Sequence, residues 1–160
     1  MRVLPRRDGP ELKRWLYVTE GISSTLDGTN DTPHFRDVPA DVQNTRYSTG
    51  HLIKVSEQKK EWGRNKGPHL ERIHGADEVW AMCFRTPPPG WRLFGRFLCK
   101  DVFVGLVFLE KFDVVKRYEE VGGRVIEEWE KLFNVPPLRS LSLDDYIGHV
   151  WMNIDEEEQP

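Results

Sequence analysis

Three apolar segments, separated by short polar breaks, dominate residues 78–111. The first two, Glu78–Arg85 and Trp91–Leu98, flank Thr86-Pro-Pro-Pro-Gly90, which cannot lie inside a sheet because proline donates no ladder hydrogen bond. The third, Val102–Glu110, begins with eight consecutive apolar residues, which indicates a strand buried on both faces. Short connections favour antiparallel neighbours, so we predict a meander with the third strand placed centrally.

Size and composition favour one domain. The chain has 160 residues, within the usual range of about 100–200 for a single domain, and 38% of them are hydrophobic. Its longest apolar run is far shorter than the roughly 20 residues of a membrane-spanning helix, so we expect no membrane association. No apolar stretch follows the basic N-terminus, which argues against a signal peptide. Two cysteines, Cys83 and Cys99, cannot staple a domain of this size, and we predict a reduced, cytoplasmic protein.

Residues 1–48 are predicted to form an irregular N-terminal extension. They contain four prolines and a polar segment, Gly21–Thr32, which is typical of a loop. Within them, Arg14–Thr19 is rich in strand-forming residues, so we expect the extension to contribute an edge strand. The remainder of this single domain, residues 1–160, is predicted as a core over 50–140 and an acidic tail over 155–160.

Two helices are predicted beside the sheet. The Lys, Glu and Gln content of Gly50–Asn65 favours a helix, which Gly67-Pro68 would end. In Tyr118–Phe133, apolar residues recur at spacings of four, four, three and one, which forms one apolar stripe. The expected fold class is therefore α+β: an antiparallel sheet of three to five strands, with helices packed on one face.

The predicted sheet has an uneven charge pattern. Four cations and no anion occur in the segment that contains Arg85, Arg92, Arg96 and Lys100. Strand alternation places Arg92 and Arg96 on the same face, and pairing of Arg85 with Arg92 adds a third guanidinium. Such an open cationic face suits phosphate, which guanidinium forks bind bidentately. Two alternatives remain: an ordinary solvated face, or arginines that are paired with carboxylates of the C-terminal helix and tail.

Charge is separated along the chain. The net charge is −3 and the pI is about 6.0, which argues against a protein that coats nucleic acid. Residues 46–72 nevertheless hold seven Lys or Arg against three Glu, whereas residues 141–160 hold six acids and no Lys or Arg. A local basic surface is therefore compatible with the acidic total.

Histidine patterns do not predict a metal centre. His69 and His74 lack the i, i+4 spacing of the helical zinc motif, and no third ligand is evident, so we predict no metal and no small-molecule cofactor. His74 is instead a candidate general acid or base, because the pKa of histidine is near neutrality. Trp91, at the edge of the proline loop, is a candidate for stacking on a base.

Four short runs carry a resemblance to a known family. They are Gly67–Gly75, Glu78–Arg85, Gly90–Gly95 and Phe103–Lys111. In this order, the runs contain a segment that leads into a strand ending in Arg, a second strand with the pair Trp-Arg, and an apolar strand ending in Lys. This pattern is similar to the RelE/ParE superfamily of toxins, and most of all to its HigB-like branch.

The resemblance implies a fold and an activity. The fold would be a small α+β domain with a basic concavity on the sheet. Many members of the family are ribosome-dependent endoribonucleases that cut mRNA by 2′-hydroxyl attack on the adjacent phosphate, without a metal, and an antitoxin protein neutralises them. The implied partners are therefore an antitoxin, the ribosome and mRNA.

The resemblance also assigns residues. Arg85 matches the arginine at the strand end, Arg92 the arginine after the aromatic residue, and Lys111 the lysine that ends the apolar strand. Tyr118 and His74 are candidates for proton transfer. The charge pattern adds residues that we expect to bind nucleic acid: Arg96, Lys100 and Trp91. The competing hypothesis is a non-catalytic binding module of the same fold that engages a protein partner through exposed aromatic residues, with its arginines tied up by carboxylates.

Overall fold

One mixed sheet organises the chain. The computed structural model describes residues 1–4, 13–27, 46–58, 66–85, 88–148 and 151–155. The sheet has eight strands in the order β1-β2-β7-β6-β5-β4-β3-β8 and curls into a half-barrel. The strands are β1 (Arg2–Leu4), β2 (Trp15–Val18), β3 (Ile53–Ser56), β4 (Leu70–Arg72), β5 (Trp80–Phe84), β6 (Trp91–Cys99), β7 (Val102–Glu110) and β8 (Trp151–Asn153). The helices are α1 (Glu20–Leu26), α2 (Lys111–Val114) and α3 (Tyr118–Leu132), with a 3-10 turn at Leu143–Asp145.

The predicted meander is present in the sheet. β5 pairs antiparallel with β6, and β6 pairs antiparallel with β7. β7 also pairs with β2, so its apolar run has a hydrogen-bonded strand on each side. Cys83 lies opposite Arg92, two residues from the predicted pairing of Arg85 with Arg92. A shift of two residues leaves every side chain on its predicted face, because side chains alternate with a period of two.

The predicted fold class is wrong. The sheet has eight strands rather than three to five, and it is not purely antiparallel: β2 is parallel to β7, and β3 is parallel to both β4 and β8. Packing covers both faces rather than one. Both faces of the sheet carry many apolar side chains. Because a solvated face would expose one of these sets to water, other segments of the chain pack against each face.

Two local predictions of secondary structure are wrong. Ile53–Ser56 is a strand instead of part of a helix, because Ile53 and Val55 are both fully buried with period two and tertiary burial outweighs helix propensity. Glu20–Leu26 is a helix instead of part of a loop, and Thr19 caps it by accepting the Ile22 N–H at 3.4 Å. The rest of the helix predicted over 50–65 and the rest of the loop predicted over 21–32 extend beyond the described residues, as does most of the acidic tail.

Each face of the sheet has its own core. On one face, Trp80 packs edge-on against Phe97 and at a tilt against Tyr146, so the segment after α3 closes this core. On the other face, α3 inserts the apolar stripe predicted for it, with Val121, Val125 and Trp129 buried. In its pairwise contacts with the sheet, α3 lies chiefly over β6 and β7. The part of this face that β3 and β4 form therefore extends beyond the helix.

Within the described ranges, no helix has the length and apolarity needed to cross a membrane.

The close approach of β6 and β7 makes Gly95 sensitive to substitution. A Cβ atom there would lie 2.0 Å from the carbonyl oxygen of Val104, so Gly95→Ala is expected to lower the free energy of unfolding by about 2–3 kcal/mol in urea titrations. Gly123→Ala is the matched control. A Cβ at this position of α3 meets nothing within 4 Å, and alanine should raise stability by about 0.5–1 kcal/mol. Unchanged stability of Gly95→Ala contradicts the close pairing.

Candidate functional site

Strand ends bring five residues to one end of the sheet, which we call the basic end: Lys54, His69, Arg85, Arg92 and Lys111. Antiparallel pairing places Arg85, directly after β5, next to the start of β6. Lys111 follows β7, and its backbone N–H donates to the carbonyl oxygen of Gly90 at 2.9 Å. His69 precedes β4, accepts the Cys83 N–H at 2.8 Å and donates its own N–H to Lys54 at 2.8 Å.

His69 joins β3 to β4 through its ring as well as its backbone. Its Nδ1 accepts the Lys54 backbone N–H at 3.1 Å, which assigns the ring proton to Nε2. Burial, with the charges of Arg46, Arg85 and Lys54, lowers the pKa of His69 to about 4. The ring is therefore neutral at pH 7. Three cations lie close enough to disfavour a fourth, which identifies a concentration of positive charge.

Arg85 holds an exposed position within this charge. Its guanidinium donates to the backbone carbonyl of Gly67, in the segment that leads into β4. This contact orients the group at the edge of the sheet. Arg46, also exposed, lies in a helical segment at 46–48 that is tied to the start of β3, because the His51 N–H donates to the Arg46 carbonyl at 3.1 Å.

Arg92 lies deeper, against the one carboxylate that β4 contributes to this face. Arg92 Nε is 3.4 Å from Glu71 Oε1, and the two side chains are 14% and 20% exposed. Burial opposes the charge of Arg92, but its neighbours, Cys83 and Glu71 foremost, raise its pKa overall. Arg92 is therefore a permanent cation at the edge of the basic end.

Tyr118 comes to the same place from the first residue of α3. Its ring makes an edge contact with Phe94, with centroids 6.2 Å apart. Burial raises the pKa of Tyr118, and the nearby charge of Glu71 raises it further while that of Arg92 lowers it. The phenol is therefore protonated at pH 7 and lies within electrostatic range of the Arg92–Glu71 pair.

The structure places four of the five residues predicted to be catalytic at or beside the basic end of the sheet: Arg85, Arg92, Lys111 and Tyr118. The fifth, His74, follows β4 at the opposite end of the sheet, where its Nε2 is hydrogen-bonded to the backbone carbonyl of Glu57. The structure thus separates the two proton-transfer candidates that the sequence suggested.

The residues predicted to bind nucleic acid are dispersed. Arg96 is 4% exposed, pairs with Asp77 at 3.0 Å and lies 5.7 Å from the centroid of the Trp129 ring. Lys100 lies at the turn between β6 and β7, far along the sheet from Arg85. Trp91 is at the basic end but on the opposite face from Arg92, where it stacks on Phe108 with centroids 5.2 Å apart.

The expectation of one open cationic face is therefore wrong for β6. Arg92 and Arg96 do share a face, but Phe94 lies between them, and burial of this ring brings α3 down onto the strand. Each arginine under or beside the helix has a carboxylate partner, as a buried cation requires. On this face of the described sheet, Lys54 and Arg85 lie beyond the cover of α3, on the side of β3, β4 and β5.

Four residues of this region were not predicted as site residues: Arg46, Lys54, His69 and Glu71. Alternation of Lys54 with Ile53 and Val55 was the available signal for a strand with an outward-facing lysine. The helix-favouring composition of the flanking sequence masked it. Sequence reasoning weighed His69 as a metal ligand and did not select it as a site residue, whereas its ring accepts a backbone hydrogen bond from Lys54.

Among the parts of the chain that the structure describes, no group of three or more His, Cys, Asp or Glu is placed to hold a metal ion. Comparisons with protein-family models, with curated proteins and with solved structures found no match to the chain.

The neutral His69 ring makes stability depend on pH. Its pKa is about 4 in the folded chain against about 6.5 in the unfolded chain, so the unfolded chain binds more protons between these values. The stabilisation is complete above about pH 6.5 and is lost as the pH falls towards 4. It amounts to about 1–2 kcal/mol once solvent screening is included.

The variant His69→Gln should therefore lose less stability than the wild type when the pH is lowered from about 7 to about 4.5, by this same about 1–2 kcal/mol. Urea unfolding at the two pH values measures the difference. Equal losses in both proteins contradict a neutral, desolvated ring at position 69.

Proposed function

We propose that the protein is a toxin-like, metal-independent endoribonuclease that acts in the cytoplasm and holds mRNA on the ribosome through its basic end. The observation that carries the proposal is the clustering of Arg46, Lys54 and Arg85 around a neutral His69, on the part of the sheet that α3 leaves uncovered. Guanidinium forks and ammonium groups are the side chains that bind phosphate oxygens most strongly. The similarity of residues 67–111 to RelE/ParE toxins supports the activity but not the fold.

Electrostatic steering is consistent with an acidic protein that binds RNA. The net charge of −3 is a sum over the whole chain, whereas a ligand at one end of the sheet experiences the local field. Three cations near His69 attract a phosphate backbone to this end. Of the acidic residues of 141–160, Asp155 lies at the carboxyl end of β3, where Ser56 and the Glu57 N–H donate to its carboxylate, and not at the end that His69 occupies.

The cleavage step needs charge stabilisation more than it needs a metal. When the 2′-oxygen attacks the adjacent phosphorus, negative charge develops on the equatorial oxygens of the phosphorane. Preorganised cations aimed at these oxygens lower the barrier. Arg85 and Arg92 are the guanidinium groups at the basic end, and Lys111 provides an ammonium group at the same end. The products are a 2′,3′-cyclic phosphate and a 5′-hydroxyl.

The proposal includes a protein partner. A toxin of this kind is neutralised by an antitoxin, and an acidic segment that covers the basic end would block RNA by occupying the same cations. Exposed apolar side chains of the short α2 region, Phe112 and Val115, lie beside Lys111 and offer such a segment a hydrophobic contact.

A second candidate function is a non-catalytic module that binds a protein. The ion pairs Arg92–Glu71 and Arg96–Asp77 favour it, because two of the arginines expected to face RNA are paired within the chain. Their carboxylate partners come from β4 and from the segment before β5, rather than from the C-terminal helix and tail. The two candidates differ in one result: only the first predicts RNA cleavage.

Binding to a short single-stranded RNA, followed by fluorescence anisotropy, tests the role of the basic end. The double variant Lys54→Gln/Arg85→Gln is expected to bind at least about 10-fold more weakly than the wild type. Loss of two phosphate contacts should also reduce the salt slope, the slope of log K against log salt concentration, by about 1.4. Arg124→Gln, at an exposed cation of α3, is the matched control and should change neither quantity.

Cleavage is read in parallel with ribosomes that carry mRNA, and in a bacterial host by growth and mRNA integrity. Growth arrest with cut mRNA in the wild type, relieved in the double variant, is the expected outcome. If the wild type binds RNA without cutting it in either assay, the endoribonuclease proposal is wrong. If it neither binds nor cuts RNA, the module that binds a protein becomes the better account.

A further inference from the structure

Glu71 is a carboxylate in a surface that is otherwise cationic. It lies in the middle of β4, on the same face as His69, and opposite Ala81 in the antiparallel pairing with β5. Its charge acts on Cys83, on Arg92 and on Tyr118. A surface built only to hold phosphate has no use for a negative charge at this point, because it opposes the ligand.

The ion pair with Arg92 does not account fully for this carboxylate. Arg92 Nε approaches Glu71 Oε1 to 3.4 Å, yet this buried nitrogen makes no hydrogen bond within the described residues. The Nη1 group of Arg92 donates instead to the backbone carbonyl of Trp91 at 3.0 Å. The ion-pair contact is thus through Nε, at 3.4 Å, rather than through a bidentate fork, and the carboxylate keeps lone pairs that can accept a proton.

Other proton acceptors in the region are engaged or distant. The Nδ1 lone pair of His69 is occupied by the Lys54 N–H, and its other nitrogen carries the proton. His74 lies at the far end of the sheet beside Glu57. Among the described residues of the basic end, Glu71 is thus the carboxylate that pairs with a guanidinium, that of Arg92, and acts electrostatically on the phenol of Tyr118.

We infer that Glu71 is the general base that removes the 2′-hydroxyl proton of RNA bound at the basic end, and that Tyr118 is the acid that protonates the leaving oxygen. This inference rests on the proposed function. The 2′-oxygen, once deprotonated, forms a bond to phosphorus, and the bond from phosphorus to the 5′-oxygen breaks. The proton of the 2′-hydroxyl goes to Glu71, and the phenol proton of Tyr118 goes to the 5′-oxygen. Water then exchanges the protons and restores both groups.

The arrangement groups a base, an acid and a cation. Arg92 is paired with Glu71 at 3.4 Å and interacts electrostatically with Tyr118, so it is placed to stabilise the phosphorane while the two protons move.

Single-turnover cleavage of ribosome-bound mRNA by Glu71→Gln tests the inference. Glutamine keeps the shape of the side chain and an oxygen towards Arg92 but accepts no proton. Cleavage is expected to fall by about 100-fold or more, the usual contribution of a general base. Affinity for an RNA with a 2′-deoxy residue at the cut site should stay equal to that of the wild type or increase, since a negative charge is removed. Glu71→Asp, which keeps a carboxylate, should retain part of the rate.

Glu127→Gln, at an exposed carboxylate of α3, is the control and should cleave like the wild type. If Glu71→Gln loses RNA affinity by the same factor as it loses cleavage, the assignment is overturned, because Glu71 then only positions Arg92. Cleavage by Glu71→Gln within about threefold of an active wild type overturns it as well. A wild type that binds RNA but never cuts it overturns the proposed endoribonuclease and this assignment together, which separates that failure from the other two.

Discussion

The close pairing of β6 and β7 is the constraint on which the architecture depends. Two nine-residue strands approach so tightly that a Cβ at Gly95 would collide with the backbone of Val104. This pairing makes β7 an inner strand, with β2 hydrogen-bonded to its other side. It also fixes one face for α3, because Phe94 and Val104 form a single apolar surface that the stripe of the helix covers. Burial of that surface under α3 then determines which charged side chains of the sheet remain exposed to water.

Arg96 and Lys54 show how the same packing sorts the cations. Arg96 lies under α3, where it is paired with Asp77 and stacked on Trp129, so its role is structural. Lys54 lies on β3, beyond the helix, where its charge combines with those of Arg46 and Arg85 around His69. The difference arises from position relative to one helix rather than from the residue type. A functional surface and a structural ion pair therefore share one face of one sheet.

The sequence predicts the alternation within β5 and β6, the helix that begins at Tyr118 and the burial of β7. Each of these has a strong local pattern of apolar residues. The sequence does not predict the mixed sheet, since parallel pairings of β2 with β7 and of β3 with β4 join segments that are distant in sequence and leave no periodic signal. Arg85, Arg92 and Lys111 were selected through the resemblance to RelE/ParE toxins, and they lie at one end of the sheet because neighbouring strand ends of a meander meet there. His69 and Glu71 could not be selected, because β4 is only three residues long and its neighbours are set by tertiary pairing.

Hydrogen exchange of the wild-type chain, with and without a short single-stranded RNA, tests most directly whether the basic end is the RNA-binding surface. The account predicts protection that is concentrated in peptides covering residues 52–58, 67–72, 84–92 and 111–118. Peptides covering 96–101 and 139–146, at the other end of the sheet, should exchange as they do in the free protein. Protection centred on the second set, or none at any RNA concentration at which anisotropy reports binding, contradicts the account.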